Sequence, residues 1–324
     1  MNLTRRLVQQ NVLIYKLAIK LHGLFKNIKV IFSDTEILIK KNSKEIILGV
    51  GQINFARGIV DHFDFYFSSV LPTYIHNENR ESVDPIRVVD FSISRAHEVP
   101  SFILNNFTFP TIAEPLQTAI TYSRILDLGP GDTIIDLGSY SGLTSIYFKE
   151  VVAAKAGGGV VLAVEPDYKN FQALEINAKN YKEKTGKEIL MIQAAVYDRD
   201  GYIDFVSEGT LDSAVVGSAP NLYVRESNLV KVRCFTLSTL VNLFNLTKVD
   251  CIKADIEGSE IQALSDAEFF SKHRPRIVLE PISLKGRNGL QEISKVLEKW
   301  GYRGQEYSQP GGNVPLVLFS NESS

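Results

Sequence analysis

Residues 132–144 read Asp132-Thr-Ile-Ile-Asp136-Leu-Gly138-Ser139-Tyr140-Ser141-Gly142-Leu-Thr144. A short run of β-branched and apolar residues ends in a turn that carries two glycines. A helical pattern, Leu143–Ala154, starts directly after it. Strand, tight turn and helix in that order are how a parallel α/β sheet opens. Working outward, helices are predicted at Ala113–Leu126, Asp167–Lys182, Leu237–Phe244, from Ser259, and at Leu290–Trp300. Strands are predicted at Val160–Glu165, Ile189–Val196, Val249–Asp255, Arg276–Leu279 and Val314–Phe319, with a strand pair around Tyr202–Phe205 and Leu229–Cys234. Short apolar strands alternating with helices predict a doubly wound, mostly parallel Rossmann-like sheet over residues 111–324. Ligands are expected at the carboxyl ends of its strands.

The turn is not the dinucleotide fingerprint, because Tyr140 stands where G-x-G-x-x-G has its middle glycine. Gly138 allows a sharp turn beside a ligand, and Gly142 allows close packing at the helix start. Asp136 sits at the strand end, where an anion opposes a bound pyrophosphate. It complements a cationic, phosphate-free ligand such as S-adenosylmethionine; alternatively it caps the turn. The second strand ends in Glu165-Pro166-Asp167. Glu165 there is able to accept two hydrogen bonds from a ribose diol. Pro166 stops the strand, and Asp167 caps the next helix. The third strand ends in Ala194-Ala195-Val196-Tyr197-Asp198, small enough to leave room for an adenine ring. Asp198 either accepts from its amine or makes the following turn.

The fourth strand carries the most specific motif, Val249-Asp250-Cys251-Ile252-Lys253-Ala254-Asp255-Ile256-Glu257-Gly258-Ser259-Glu260. With Val232-Arg-Cys-Phe-Thr236-Leu237 before it, this stretch resembles the FkbM-type S-adenosylmethionine-dependent methyltransferases, whose hallmark is D-x-I-K-x-D-x-E-G-x-E. The resemblance spans about residues 111–285. It departs from the family at Ser238, where an acid is usual, and at Tyr140, where asparagine is frequent. The resemblance implies the class I methyltransferase fold. It also implies a cofactor site of Asp136, Gly138, Ser139, Tyr140, Gly142, Glu165, Pro166, Ala195 and Asp255. Asp255, Glu257 and Lys253 fall where class I enzymes hold reacting groups.

The implied reaction is O-methylation of a hydroxyl on a sugar, glycan or secondary metabolite, with S-adenosyl-L-methionine as donor. Such a transfer needs an aligned acceptor and a group to take its proton. A divalent cation held by Asp255, Glu257 and Glu280 is the less favoured arrangement, and no metal ligands are assigned. Lys253 and Glu260 in purely structural ion pairs is the competing reading. The five histidines are scattered; of these, His97 in Arg95-Ala-His97-Glu98 is a candidate base. N-methylation of protein or nucleic acid is disfavoured, because Asp255-Ile-Glu-Gly replaces the Asn/Asp-Pro-Pro-aromatic motif. A non-catalytic membrane-surface or scaffold protein that keeps the cofactor fold is the alternative of another class.

The chain has 324 residues, a net charge of −2 and ordinary globular composition, with 44% hydrophobic residues. So balanced a charge presents no global field for nucleic acid, and no nucleic-acid partner is expected. Two cysteines form no disulfide framework, so a reducing, cytoplasmic compartment is expected. No apolar run is long enough to predict a transmembrane helix, and no secretory leader is recognised.

Residues 1–110 read as an accessory α+β region. Residues 1–28 predict a basic amphipathic helix that fits a membrane surface, its own domain or a second subunit of a homodimer. Three β-rich runs follow, at Lys29–Phe32, Glu36–Lys40 and Glu45–Val50, and the pattern from Gly51 to Pro110 is weak. Ser207–Val224 and this region are the expected acceptor-facing parts.

Overall fold

The computed structural model describes residues 12–75, 85–154, 158–211, 213–218, 228–281, 288–309, 311 and 314–321. The expectations for Arg5, Arg6, the polar stretch His76–Asp84 and the last six residues of Ser207–Val224 lie outside them. The chain divides into two compact units, Met1–Pro115 and Leu116–Ser324.

The first unit opens with helix α1 (Val12–Phe25) and strands β1 (Lys29–Phe32), β2 (Glu36–Lys41) and β3 (Lys44–Gly49). Helices α2 (Ile53–Asp61) and α3 (Phe63–Phe67) follow, then β4 (Thr73–Ile75) and β5 (Ile86–Asp90). The sheet runs β1-β2-β3-β5-β4, with β3 and β5 parallel and the other pairs antiparallel. Alternation at period two buries Ile37, Ile39, Ile46 and Leu48 completely. The strands β6 (Arg95–His97) and β7 (Phe107–Phe109) form a separate hairpin. The weak pattern after Gly51 conceals these elements because each is too short to show a period.

The second unit begins with α4 (Leu116–Ile125), β8 (Thr133–Leu137), α5 (Leu143–Val152), β9 (Val160–Val164) and α6 (Tyr168–Thr185). Next come β10 (Leu190–Ile192), β11 (Ala195–Val196), β12 (Gly201–Val206), β13 (Ala214–Val215), β14 (Leu229–Phe235) and α7 (Leu237–Leu243). The chain continues through β15 (Cys251–Ala254), α8 (Glu260–Ala263), α9 (Ala267–Lys272), β16 (Arg276–Leu279), α10 (Gly289–Glu298), β17 (Tyr302–Tyr307) and β18 (Leu316–Asn321). The main sheet runs β10-β9-β8-β15-β16-β18-β17. Its first five strands are parallel; β18 and β17 close it antiparallel. This is the doubly wound α/β fold. Strands β8 and β15 lie at its centre and are buried at every position, so both are mostly apolar and the charged residues they carry, Asp136 and Lys253, are buried with them.

Three expectations need correction. Ile189–Val196 is not one strand: β10 joins the main sheet, and β11 pairs with β14 in a second, four-stranded sheet. Apolar character does not reveal which ladder a segment will join. The helix from Ser259 is two short helices, because Asp266 breaks it and caps the second by accepting from Phe269 N at 3.0 Å. Finally, β17 (Tyr-Arg-Gly-Gln-Glu-Tyr) is absent from the sequence reading. Its four central residues are exposed, so its pairing with β18 makes it a strand.

Candidate active site

The loops at the carboxyl ends of β8, β9, β15 and β16 make one edge of the main sheet. The glycine turn lies between β8 and α5. The N–H groups of Gly138 and Ser139 donate to the Val164 carbonyl at 3.0 and 3.2 Å. Ser139 Oγ donates to the Asp136 carbonyl at 2.8 Å and accepts from Val164 N at 2.9 Å. The turn is thus stitched to β9. Gly138 has φ 73°, and a Cβ there would stand 1.9 Å from the Asp255 carbonyl oxygen. Its side-chain space is therefore taken by the neighbouring strand rather than by a ligand. At Gly142 a Cβ would stand 2.4 Å from Leu174 Cδ1 of α6, which is close helix packing.

Tyr140 is buried and takes φ 48°, a left-handed conformation that costs a non-glycine residue about 1–2 kcal/mol. Part of what holds it is Glu165, whose Oε2 accepts the Tyr140 N–H at 2.9 Å. Glu165 Oε1 accepts from Asp167 N at 2.9 Å and from Asn170 Nδ2 at 3.4 Å. Three of a carboxylate's roughly four acceptor positions are therefore occupied. One position is left free, where the expected contact to a ribose diol calls for two. Burial pushes the Glu165 carboxyl up to about 8. The half-buried Pro166 leads into Asp167, which caps α6 through Lys169 N and Asn170 N. Asp167 Oδ2 also accepts from Ser207 Oγ, Gly209 N and Ser213 Oγ at 2.8 to 3.0 Å. This fastens both ends of the β12–β13 loop. Ala195 lies in β11, packed with Ile203, Phe205, Val215 and Cys234 in a small separate core.

The lysine of the fourth motif does not reach outward. Lys253 is 1% exposed, and its Nζ donates to the carbonyls of Gly138 at 2.7 Å and Leu137 at 3.2 Å. It stands 3.2 Å from Asp136 Oδ1 and 4.0 Å from Asp255 Oδ2. Asp136 is fully buried and also accepts from Ser145 Oγ at 2.6 Å. Burial raises its carboxyl, against the pull of the Lys253 ammonium. The Asp136 charge faces the Lys253 ammonium, and Lys253 ties the glycine turn to β15.

After β15 the chain turns through Asp255–Ser259, with Glu257 at φ 52° and Gly258 at φ 95°. Glu260 closes this turn: its Oε1 lies 3.3 Å from the N–H groups of Ile256 and Gly258, which donate to it. The recurrent spacing between Asp255 and Glu260 is therefore a carboxylate reaching back over backbone amides, not an ion pair. Ser218 Oγ donates to the Glu257 carbonyl at 3.0 Å. Ser238, at the position of a usual family acid, donates through both N and Oγ to Asp266 at 2.7 and 2.9 Å.

Asp255 and Glu280 come together at this edge. Ala254 and Leu279 are paired in register, so Asp255 and Glu280 leave adjacent parallel strands side by side. The Asp255 side chain is 32% exposed and accepts from Tyr122 Oη at 3.2 Å. Glu280 accepts from Gln309 Nε2 at 2.8 Å. Burial, and then the neighbouring Asp255 charge, push Glu280 up to about 7. Tyr122 and Gln309 are absent from the sequence reading. They lie 133 and 29 residues from their partners, and no local pattern connects them. His97 belongs to the first unit, beside the rings of Phe91 and Phe109. Burial, then the Arg95 charge, lower it to about 4. Among the described residues no group of His, Cys, Asp and Glu is arranged to hold a metal ion.

The chemistry of this edge suits a cationic, phosphate-free nucleoside. Its lysine is spent on backbone carbonyls and Asp136, and the side chains it brings together are carboxylates. Ser141 Oγ, Thr144 Oγ1 and Asn170 Oδ1 are buried around the turn without hydrogen-bond partners among the described residues. Orphaned polar atoms at a strand edge are what a bound polar ligand relieves.

Residues 136–303 match the model of the methyltransferase FkbM domain. Among solved structures, the methyltransferase FkbM of Methylobacillus flagellatus is 17% identical over 64% of this chain and 48% of that chain, with a TM-score of 0.46. The chain thus spans about half of that protein's length. A precorrin-6y C5,15-methyltransferase of Geobacter metallireducens is 14% identical over 62% of this chain and 86% of its own, with a TM-score of 0.38. An S-adenosylmethionine-dependent O-methyltransferase of Thermotoga maritima is 14% identical over 63% and 64%, with a TM-score of 0.33. No curated protein matches the chain. The matched domain covers more than half of the sequence, from the strand end at Asp136 past Asp255 and Glu280, and the chain belongs to the FkbM methyltransferase family.

Proposed function

We propose that the second unit transfers a methyl group from S-adenosylmethionine to a hydroxyl of a small-molecule or glycan acceptor. The observation that carries this reading is the pair Asp255 and Glu280, adjacent on neighbouring strand ends, with Glu280 held near neutrality at about 7. A group titrating there takes a proton from a hydroxyl more effectively than an ordinary glutamate.

The cofactor, when bound, supplies an electrophilic methyl on its sulfonium. Glu165 would hold it through the remaining acceptor position on its ribose side, with Ser141, Thr144 and Asn170 offering their orphaned oxygens. Glu280 receives the acceptor's proton as its oxygen attacks. Asp255, steadied by Tyr122, orients the hydroxyl. Lys253 acts through the backbone: it ties the glycine turn to β15 and neutralises Asp136.

Transfer of labelled methyl from S-adenosylmethionine to a panel of hydroxylated and amine acceptors tests the reading. Label on a hydroxyl, lost in Glu280→Gln, is the expected result. Label on amines alone, or a Glu280→Gln enzyme with full activity, would reject it.

A further inference from the structure

A docked surface helix normally buries its apolar stripe and shows its charges to water. Helix α1 buries only a narrow apolar face and leaves a second apolar face exposed. Its buried face is Tyr15, Ile19 and Gly23. A Cβ on Gly23 would stand 2.6 Å from the Ile28 carbonyl oxygen, so this face lies tight on the chain that leads into β1. Polar residues on and just after α1 flank this face, with Lys20 and Lys26 exposed. His22 and Lys26 both contact Asp61 of α2, at 2.7 and 2.8 Å. The ammonium groups of Lys16 and Lys20 lie over the Phe32 ring, 5.4 and 5.7 Å from its centroid.

The outward face carries Leu13, Leu17, Leu21 and Leu24, spaced by four, four and three residues, with Phe25 beside the last. Leu13 is 77% exposed and Phe25 is 89% exposed. Spacing of this kind aligns side chains along one face of a helix. Five large apolar side chains in one continuous exposed stripe mark a contact surface rather than the scattered exposure of an ordinary monomer.

Charge decides what the stripe meets. Residues 1–33 contain six lysines and arginines and no aspartate or glutamate. Two copies of this helix, packed face to face, would bring like charges together with nothing acidic in the segment to offset them. An anionic lipid surface accepts both features. Its acyl boundary takes leucine and phenylalanine, and its headgroups attract each nearby lysine by about 1 kcal/mol. The lysines flanking the stripe have long apolar stems, which suit the same boundary.

We propose that α1 is a membrane-surface anchor: it lies in the headgroup region of an anionic bilayer with Leu13, Leu17, Leu21, Leu24 and Phe25 inserted, and tethers the unit there without crossing it. Among the described residues no helix is long and apolar enough to cross a membrane.

Flotation of the full chain with phosphatidylcholine vesicles, with and without phosphatidylserine, tests this. Wild type is expected to float with the phosphatidylserine vesicles, more weakly with phosphatidylcholine alone, and less as salt is raised. Leu17→Glu/Leu24→Glu is expected to lower the partition at least about tenfold, and Lys16→Gln/Lys20→Gln to lower it about tenfold on anionic vesicles only. All four positions can be changed without opening the core, and an unchanged thermal unfolding curve checks that. Absence of flotation with either vesicle overturns the proposal, as does equal flotation of wild type and the leucine variant. A dimer in sedimentation velocity that Leu17→Glu/Leu24→Glu dissolves, with no vesicle binding by wild type, assigns the stripe to a second copy instead.

Discussion

The two turns at the working edge of the sheet, residues 138–142 and 255–260, are built with the same devices. Each forces non-glycine backbone into the left-handed region, at Tyr140 and at Glu257. Each is closed by a buried glutamate that accepts backbone N–H groups, Glu165 for the first and Glu260 for the second. They differ in how they spend charge. Beneath the first turn, Asp136 is buried against Lys253 and Ser145. Beside the second, Asp255 is partly exposed, 4.0 Å from that lysine, and faces Glu280. A charge compensated inside the protein builds the scaffold. Two carboxylates that share an edge without a full counter-charge are the ones proposed to carry the chemistry.

Glu280→Gln should break the comparison most sharply. It keeps a partner for Gln309 but removes the proton acceptor, so methyl transfer should fall about 10²–10⁴-fold with little change in unfolding. In wild type, kcat/KM should rise with pH through about 7, as Glu280 loses its proton; the variant should lose that limb. A variant that retains both rate and limb would move the base elsewhere.

Next in size is Lys253→Met. It strands the Asp136 carboxylate and should cost about 3–5 kcal/mol in urea unfolding. Adding Asp136→Asn should return part of the loss, because the pair and not the lysine alone is the unit of stability. Additive losses would mean the two do not compensate each other. Gly138→Ala follows, at about 2–4 kcal/mol, because its Cβ must displace the Asp255 carbonyl and adopt a left-handed φ.

Glu165→Ala should weaken S-adenosylmethionine binding by about 0.5–1.5 kcal/mol in calorimetry, the worth of one hydrogen bond to a carboxyl that burial keeps largely neutral. A loss twice that size would restore the two-bond contact to the ribose.

The smallest expected effect is on stability against pH. Glu165 and Glu280 have folded values raised to about 8 and about 7, against an ordinary 4.5, so the folded state holds protons that the unfolded state has released. Stability is then fully present below the unfolded value and is lost as pH rises through the folded values. Between pH 6.5 and 8 the melting temperature should fall by a few degrees, and Glu165→Gln should flatten that slope. A melting temperature that climbs over the same interval would contradict the burial assigned to these acids.

Much of this was legible in the chain. Strands β8 and β15 announce themselves because burial on both faces demands short, largely apolar runs, here Ile134–Ile135 with Leu137 and Cys251–Ile252 with Ala254. The hallmark around Lys253 and Asp255 is local and led directly to the family. The splitting of Ile189–Val196 between two sheets was hidden, because β-propensity measures fit to a surface and does not name the partner strand. The role of Lys253 was hidden for a related reason. A lysine on a strand near acids reads equally well as a reacting group or as the counter-charge of a buried aspartate, and only its 1% exposure separates the two.

What the amino-acid order determined by itself was the alternation of helix and strand, the edge at which ligands meet the sheet, and the acids placed on that edge. Those follow from periodicity and from which residue ends each strand, both of which are local properties. The tertiary structure decided how each acid is used: Asp136 neutralised, Glu165 and Glu260 spent on backbone amides, Asp255 and Glu280 brought together beside Tyr122 and Gln309. The state of a carboxyl depends on its burial and on the donors and charges within a few ångströms of it. Here those come from segments far apart in the chain, which only folding brings together.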